Sequence, residues 1–166
     1  MTAKFLKVAA ASVAIVAGFA STGAQAATGS ANATAEILAA VQITNPVDLR
    51  FGSVAPPTAG SGSVSVAAFS GSTASCAGGA VCGGTSGPGS FDITGAGGLD
   101  VAVSLPSTSV TIISGVNSMS VTGLSLDTGL LFGGIGTVYV GGTLTVPTGQ
   151  AAGVYSGSFN VDANYQ

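Results

Sequence analysis

The stretch GVYSGSFNVDANYQ, residues Gly153 to Gln166, decides how the rest of the chain is read. Tyr155, Gly157, Phe159, Val161, Ala163 and Tyr165 occupy every second position, with Ser156, Ser158, Asn160, Asp162 and Asn164 between them. A period of two places these sets on opposite faces of a β-strand. Ordering one residue costs roughly 1–2 kcal/mol of backbone entropy, so an alternation carried to the penultimate position predicts a chain end held by a buried face.

The same period recurs upstream. Ala33, Ala35 and Ile37 alternate with polar neighbours, and Val41 and Ile43 continue the pattern until Asn45-Pro46 breaks it. Leu49 and Phe51 begin another piece, followed by Val64 with Val66, Phe91 with Ile93, and Val101, Val103 and Leu105. Val110 with Ile112, Met119 with Val121, and Leu124 with Leu126 come next, then Val138 to Val146 with Gly141-Gly142 inside it. Residues 55–62 and 71–89 read as loops, rich in Gly, Ser and Pro. Beyond the N-terminus no run has helical period, and β-branched residues dominate. The chain is therefore predicted to be all-β, an antiparallel immunoglobulin-like sandwich of about eight or nine short strands. No repeat of fixed period points to a propeller or solenoid.

The N-terminus has a different character. Lys4 and Lys7 precede an uncharged apolar run from Val8 to Ala20, and Ala24-Gln25-Ala26 has the small-x-small form of a signal-peptidase site. Residues 1–26 read as a cleaved secretory signal, with an uncleaved N-terminal anchor as the alternative, and residues 27–166 as a single domain. No later segment has the 18 or so apolar residues of a membrane-spanning helix, so the mature chain is expected to lack an integral membrane span.

Cleavage would leave Arg50 as the only cation against six acids, Glu36, Asp48, Asp92, Asp100, Asp127 and Asp162, a net charge of −5. Such a surface has no basic stripe for phosphate, which argues against nucleic acid as a partner. Solubility has to come from hydroxyls and amides. In an oxidising compartment Cys76 and Cys82 most simply form a local disulfide inside the second loop. A metal site is the weaker reading, because the spacing is not C-x-x-C and the chain contains no histidine.

Catalytic chemistry is hard to assemble from this inventory. Without histidine there is no Ser-His-Asp triad, the serines lack a G-x-S-x-G elbow, and no lysine remains after cleavage. Asp92 and Asp100 are the nearest carboxylate pair, and both read as solvated acids at strand edges or turns. Gly95-Ala96-Gly97-Gly98 and Gly133-Gly134-Ile135-Gly136 read as turns, since neither leads into a helix that could hold a phosphate. The expectation is a protein that is not an enzyme and has no cofactor.

Two resemblances add to this. Gly153 to Tyr165 resembles the C-terminal strand of chaperone–usher fimbrial subunits, whose incomplete immunoglobulin-like fold is completed by a neighbour's N-terminal extension. That likeness implies a pilin-like sandwich with Gly153, Tyr155, Phe159, Val161 and Tyr165 on the assembly and core strand. It implies Ala33, Ala35, Ile37, Val41 and Ile43 as the candidate donor strand. It also implies other copies or related subunits as partners, with a periplasmic chaperone and an outer-membrane usher. The second resemblance spans nearly the whole mature chain. Leu49-Arg50-Phe51-Gly52, Phe91-Asp92-Ile93-Thr94-Gly95, Val140-Gly141-Gly142-Thr143-Leu144-Thr145-Val146 and Ala152-Gly153-Val154-Tyr155-Ser156-Gly157 are similar to a family of exported bacterial domains of unknown function.

Two functions stand at this point. One is a structural subunit of a surface filament, passing through the periplasm to the cell surface or an extracellular fibre. The other is a self-contained secreted or outer-surface binding module for glycan or another envelope protein. Such a module calls for exposed aromatics or carboxylates, whereas the seven Phe and three Tyr fall mostly on predicted core faces.

Overall fold

The computed structural model describes residues 26–166; the signal-peptide reading rests on residues outside these. The chain divides into two units, Met1–Glu36 and Ile37–Gln166. The described part of the first, residues 26–36, is exposed and has no regular secondary structure, so the alternation through Ala33 and Ala35 does not become a strand. The β domain is the second unit.

It is all-β and antiparallel, with twelve strands rather than eight or nine. These are β1 Gln42–Val47, β2 Ser53–Ala55, β3 Ser61–Val66, β4 Ser75–Ala77, β5 Val81–Gly83 and β6 Gly89–Thr94. They continue with β7 Val101–Ser104, β8 Ser109–Ser114, β9 Asn117–Leu126, β10 Leu130–Leu131, β11 Ile135–Pro147 and β12 Asp162–Tyr165. A single 3-10 turn, Phe132–Gly134, is the one helical element among the described residues, and none of their helices is long and apolar enough to cross a membrane.

Strand β11 organises the domain. Val140 lies opposite both Gly89 of β6 and Leu126 of β9, and Leu144 lies opposite both Val64 of β3 and Val121 of β9. Strands β6 and β3 therefore share one edge of β11 in succession, while β9 takes the other edge and carries β8 outside it. The change from β6 to β3 falls at Gly141. A Cβ there would sit 2.4 Å from the Val66 carbonyl oxygen and 2.5 Å from the Ala68 nitrogen, so the chain leaving β3 can pass only over a glycine. Opposite it, the register slips between Gly141 and Thr143, and this bulge keeps β9 continuous where the sequence pattern read two pieces, Met119-Val121 and Leu124-Leu126.

Two core clusters follow from this arrangement. One half of β11 supplies Val138, packed with Ile93 of β6, Val101 and Val103 of β7 and Leu131 of β10. The three-stranded sheet β10-β7-β12 forms the opposing layer, and the two layers make a sandwich. The other half supplies Val140, Leu144 and Val146, packed with Val64, Val121 and Leu124. Burying side chains of this kind stabilises by about 1.5–3 kcal/mol each. The solvent faces use hydroxyls in place of charge, as where Ser65 and Thr143 join their Oγ atoms at 2.9 Å across β3 and β11.

Several local expectations change. Asn45-Pro46 does not end a strand: the register of β1 on β6 shifts between Thr44 and Val47, and Asn45 takes φ +49° inside the resulting bulge. Residues 71–89 are not one loop, because β4 pairs with β3 and β5 pairs with β2. Cys76 on β4 and Cys82 on β5 are disulfide-bonded, with Cα atoms 5.8 Å apart. The bridge therefore ties the edge of the large sheet to the two-stranded β2-β5 sheet, beyond stapling a loop.

Candidate assembly groove

The C-terminal stretch keeps its alternation without keeping a strand throughout. Tyr155, Phe159, Val161, Ala163 and Tyr165 are half-buried and the residues between them exposed, yet only β12 is regular. Upstream of β12 the chain touches a sheet edge once, where Ser156 and Ile113 exchange backbone hydrogen bonds of 2.8 and 3.1 Å. Gly153 and Gly157 read as members of the apolar face, but both are exposed, and the edge of β8 accounts for them. A Cβ on Gly157 would lie 2.5 Å from the Thr111 carbonyl oxygen, and one on Gly153 would lie 2.5 Å from Ser114 Oγ. Gly157 thus has no room for a side chain, whereas at Gly153 the Ser114 hydroxyl would have to rotate away.

A second irregular segment runs between β1 and β2. It too is tied once, by the paired backbone bonds of Arg50 with Gly87, each 2.9 Å. Leu49, Phe51 and Phe159 from these two segments pack on the core of the β3, β11, β9 half. Between the segments lies a groove of about 1120 Å³, with Phe91, Ile112, Met119, Leu144 and Val146 among its lining residues. Over the other half of β11 the regular sheet β10-β7-β12 fills the equivalent layer. Over this half the covering layer is two chain segments with one backbone bridge apiece.

All four short motifs singled out in the sequence contribute to this groove: Leu49 to Gly52 and Ala152 to Gly157 along its walls, with Phe91, Leu144 and Val146 from the other two. Arg50, at the rim, is 3.8 Å from Asp48, and both side chains are more than half exposed. An exposed pair at that distance holds little. Tyr155 is fixed in place, its hydroxyl donating to the Ala151 carbonyl at 2.8 Å and accepting from Gln150 Nε2 at 2.7 Å. The floor residues Ile112, Met119 and Leu144 were legible only as core; nothing in their spacing marked a groove.

The candidate donor residues separate. Ala33, Ala35 and Ile37 are exposed, Ile37 at 95%, and lie outside any strand. Val41 packs on the second core cluster, and Ile43 pairs with Ile93 inside β1. Val41 and Ile43 thus serve their own domain. Tyr165 fixes where the preceding chain departs: its hydroxyl donates to the Ala39 carbonyl at 2.6 Å and accepts from the Ala96 amide.

Three of the six acids make hydrogen bonds within the domain. Asp92 accepts from Asn45 Nδ2 at 2.9 Å and Thr137 Oγ1 at 2.7 Å, joining β1, β6 and β11 across their outer face. The Asn45 bond first, and then the Thr137 bond, hold its carboxyl below the ordinary value of 3.8. Asp100 Oδ1 accepts from the Gly133 amide at 2.9 Å. Asp127 Oδ1 accepts from the amides of Thr128 and Tyr139, at 2.9 and 2.8 Å. Among the described residues no three of His, Cys, Asp and Glu come together as metal ligands would.

No curated protein and no solved structure matches the chain. A family model does match, over residues 41–165, nearly the whole β domain. On that match the chain belongs to the family described as Domain of unknown function (DUF4402).

Proposed function

We propose that this protein is a structural subunit of a bacterial surface filament, without enzymatic activity, that assembles by β-strand complementation with copies of itself or related subunits. The observation that carries the reading is the groove: an apolar floor with a weakly tied segment on each side, where an added strand would find both main-chain partners and side-chain pockets. In this reading the signal peptide exports the chain, a periplasmic chaperone covers the groove in transit, and an outer-membrane usher passes the subunit to the cell surface. Val41 packs on the subunit's own core, Ile43 pairs inside its own first strand and Ala39 is bonded to its own Tyr165, so the donor is confined to Ala27–Leu38, with Ala33, Ala35 and Ile37 on one face.

Electron microscopy and unheated gels of the purified exported protein test this. Fibres and high-mass ladders are expected from the full-length exported chain, with loss of both on deletion of Ala27–Leu38. A full-length protein that stays monomeric at high concentration overturns the proposal. It would leave the second reading, an outer-surface binding module, whose support is the polar rim of Asp48, Arg50 and Tyr155 beside an apolar floor.

A further inference from the structure

The direction of the chain at Gln42 bears on which copy supplies the added strand. Gln42 lies opposite Thr94, which lies opposite Ile135, the first residue of β11. From there β1 runs toward Val47, opposite Ser90 and so level with Tyr139. The groove extends farther the same way, to Leu144 and Val146. Its lining begins with Phe91, level with Val138 and about 10 Å from Ile135, and reaches Leu144, about 30 Å from Ile135 at 3.3 Å per residue. Only the far end of β1, Pro46 and Val47, reaches the groove, so the chain preceding Gln42 leaves the domain heading away from it, held there by the Tyr165 hydroxyl on the Ala39 carbonyl. Entering its own groove would require it to reverse course and run back along the domain. A second copy stacked head to tail receives it without reversal, and a contact between two different surfaces of the same molecule propagates into a fibre.

Charge supplies the register. From Ala27 to Ala40 the only charged residue is Glu36, and from residue 26 to the C-terminus the only cation is Arg50, on the groove rim. Arg50 is 57% exposed and its contact with Asp48 is loose, so its guanidinium is available to a better-placed carboxylate. In an extended segment Glu36 shares a face with Thr34 and Leu38, and Ile37 shares the opposite face with Ala35 and Ala33. Turning Glu36 to the rim turns Ile37 to the apolar floor. A slip of one residue exchanges these faces and buries the carboxylate.

We propose that the groove of one copy takes Ala27–Leu38 of a second copy, with Glu36 of the incoming segment paired to Arg50 to set its register. This rests on the filament reading. The test is ladder formation by the exported full-length protein carrying Glu36→Arg, Arg50→Glu, or both, at low and high salt. Each single reversal is expected to lower assembly about tenfold at low salt, and the double reversal to restore it to within about threefold. The difference between single variants and wild type should shrink at about 1 M salt, where exposed charges are screened within about 3 Å. Recovery in the double variant also excludes misfolding as the cause of the single-variant loss. Single variants that assemble as well as wild type, or a double variant no better than the singles, overturn the Glu36–Arg50 register and leave the filament reading standing. A wild-type protein that forms no ladder at all overturns both.

Discussion

Phe91 of β6 and Phe159 of the irregular C-terminal segment meet edge to face, with ring centroids 6.1 Å apart and planes at 81°. This contact anchors a segment whose backbone is otherwise bridged to β8 only at Ser156. Side-chain packing therefore does there what a hydrogen-bonded ladder does elsewhere in the sheet.

Phe159→Ala is expected to destabilise the domain by about 2–4 kcal/mol, below a fully enclosed phenylalanine because Phe159 is half-buried. Asn160→Ala, on the exposed face, should change stability by no more than roughly 0.5 kcal/mol. Urea unfolding of the two variants measures the difference, and equal losses would mean that the segment is not held by its aromatic face.

Reduction of Cys76–Cys82, or its replacement by serines, should cost about 2 kcal/mol from the small ring closed by a sequence separation of six. Because the bond ties the sheet of β4 to that of β5, hydrogen exchange should also rise in both strands. Non-reducing peptide mapping of the exported protein should recover the two cysteines in one linked fragment; free thiols there would contradict the structure.

Asp92 makes stability depend on pH with a defined sign. Its carboxyl titrates below the ordinary 3.8 in the folded chain because Asn45 and Thr137 bond the ionised form. The stabilisation is thus fully present above that ordinary value and is lost as pH falls through the lower folded value. Acid unfolding of Asp92→Asn should show a shallower loss below pH 3.8 than wild type. An unchanged acid limb would show that these two bonds do not favour the ionised form.

Gly141→Ala should be among the most damaging single-methyl additions, costing about 1–3 kcal/mol or preventing folding, because the new Cβ meets main-chain atoms of Val66 and Ala68 that cannot rotate aside. Gly97→Ala adds the same methyl where no atom lies within 4 Å and should be close to neutral. Thermal unfolding of the pair separates close approach from the general effect of replacing a glycine.

Residue alternation in this chain already specified an all-β domain, the faces of Val64, Val66, Val138, Val140 and Ile93, and the half-buried side chains Tyr155, Phe159 and Tyr165. A period of two is a local property, and a chain with one buried face must display it wherever strands form. The lack of histidine is likewise read directly from the sequence. Partners in space were not. Whether Gly71 to Gly89 is a loop or holds β4 and β5 depends on β3 and β2, from which these strands take their hydrogen bonds, and short serine- and glycine-rich runs carry no period of their own. Whether Asn45-Pro46 ends a strand depends on Ser90 and Asp92 across the sheet, where a bulge accommodates the proline. The groove lies furthest from local reading, because Arg50, Phe91, Met119, Leu144 and Phe159 come from five separate stretches and adjoin only once β11 exchanges β6 for β3 at Gly141. Alternation along the chain records which side of a strand is apolar, while only the packing of distant strands decides whether that side is fully covered.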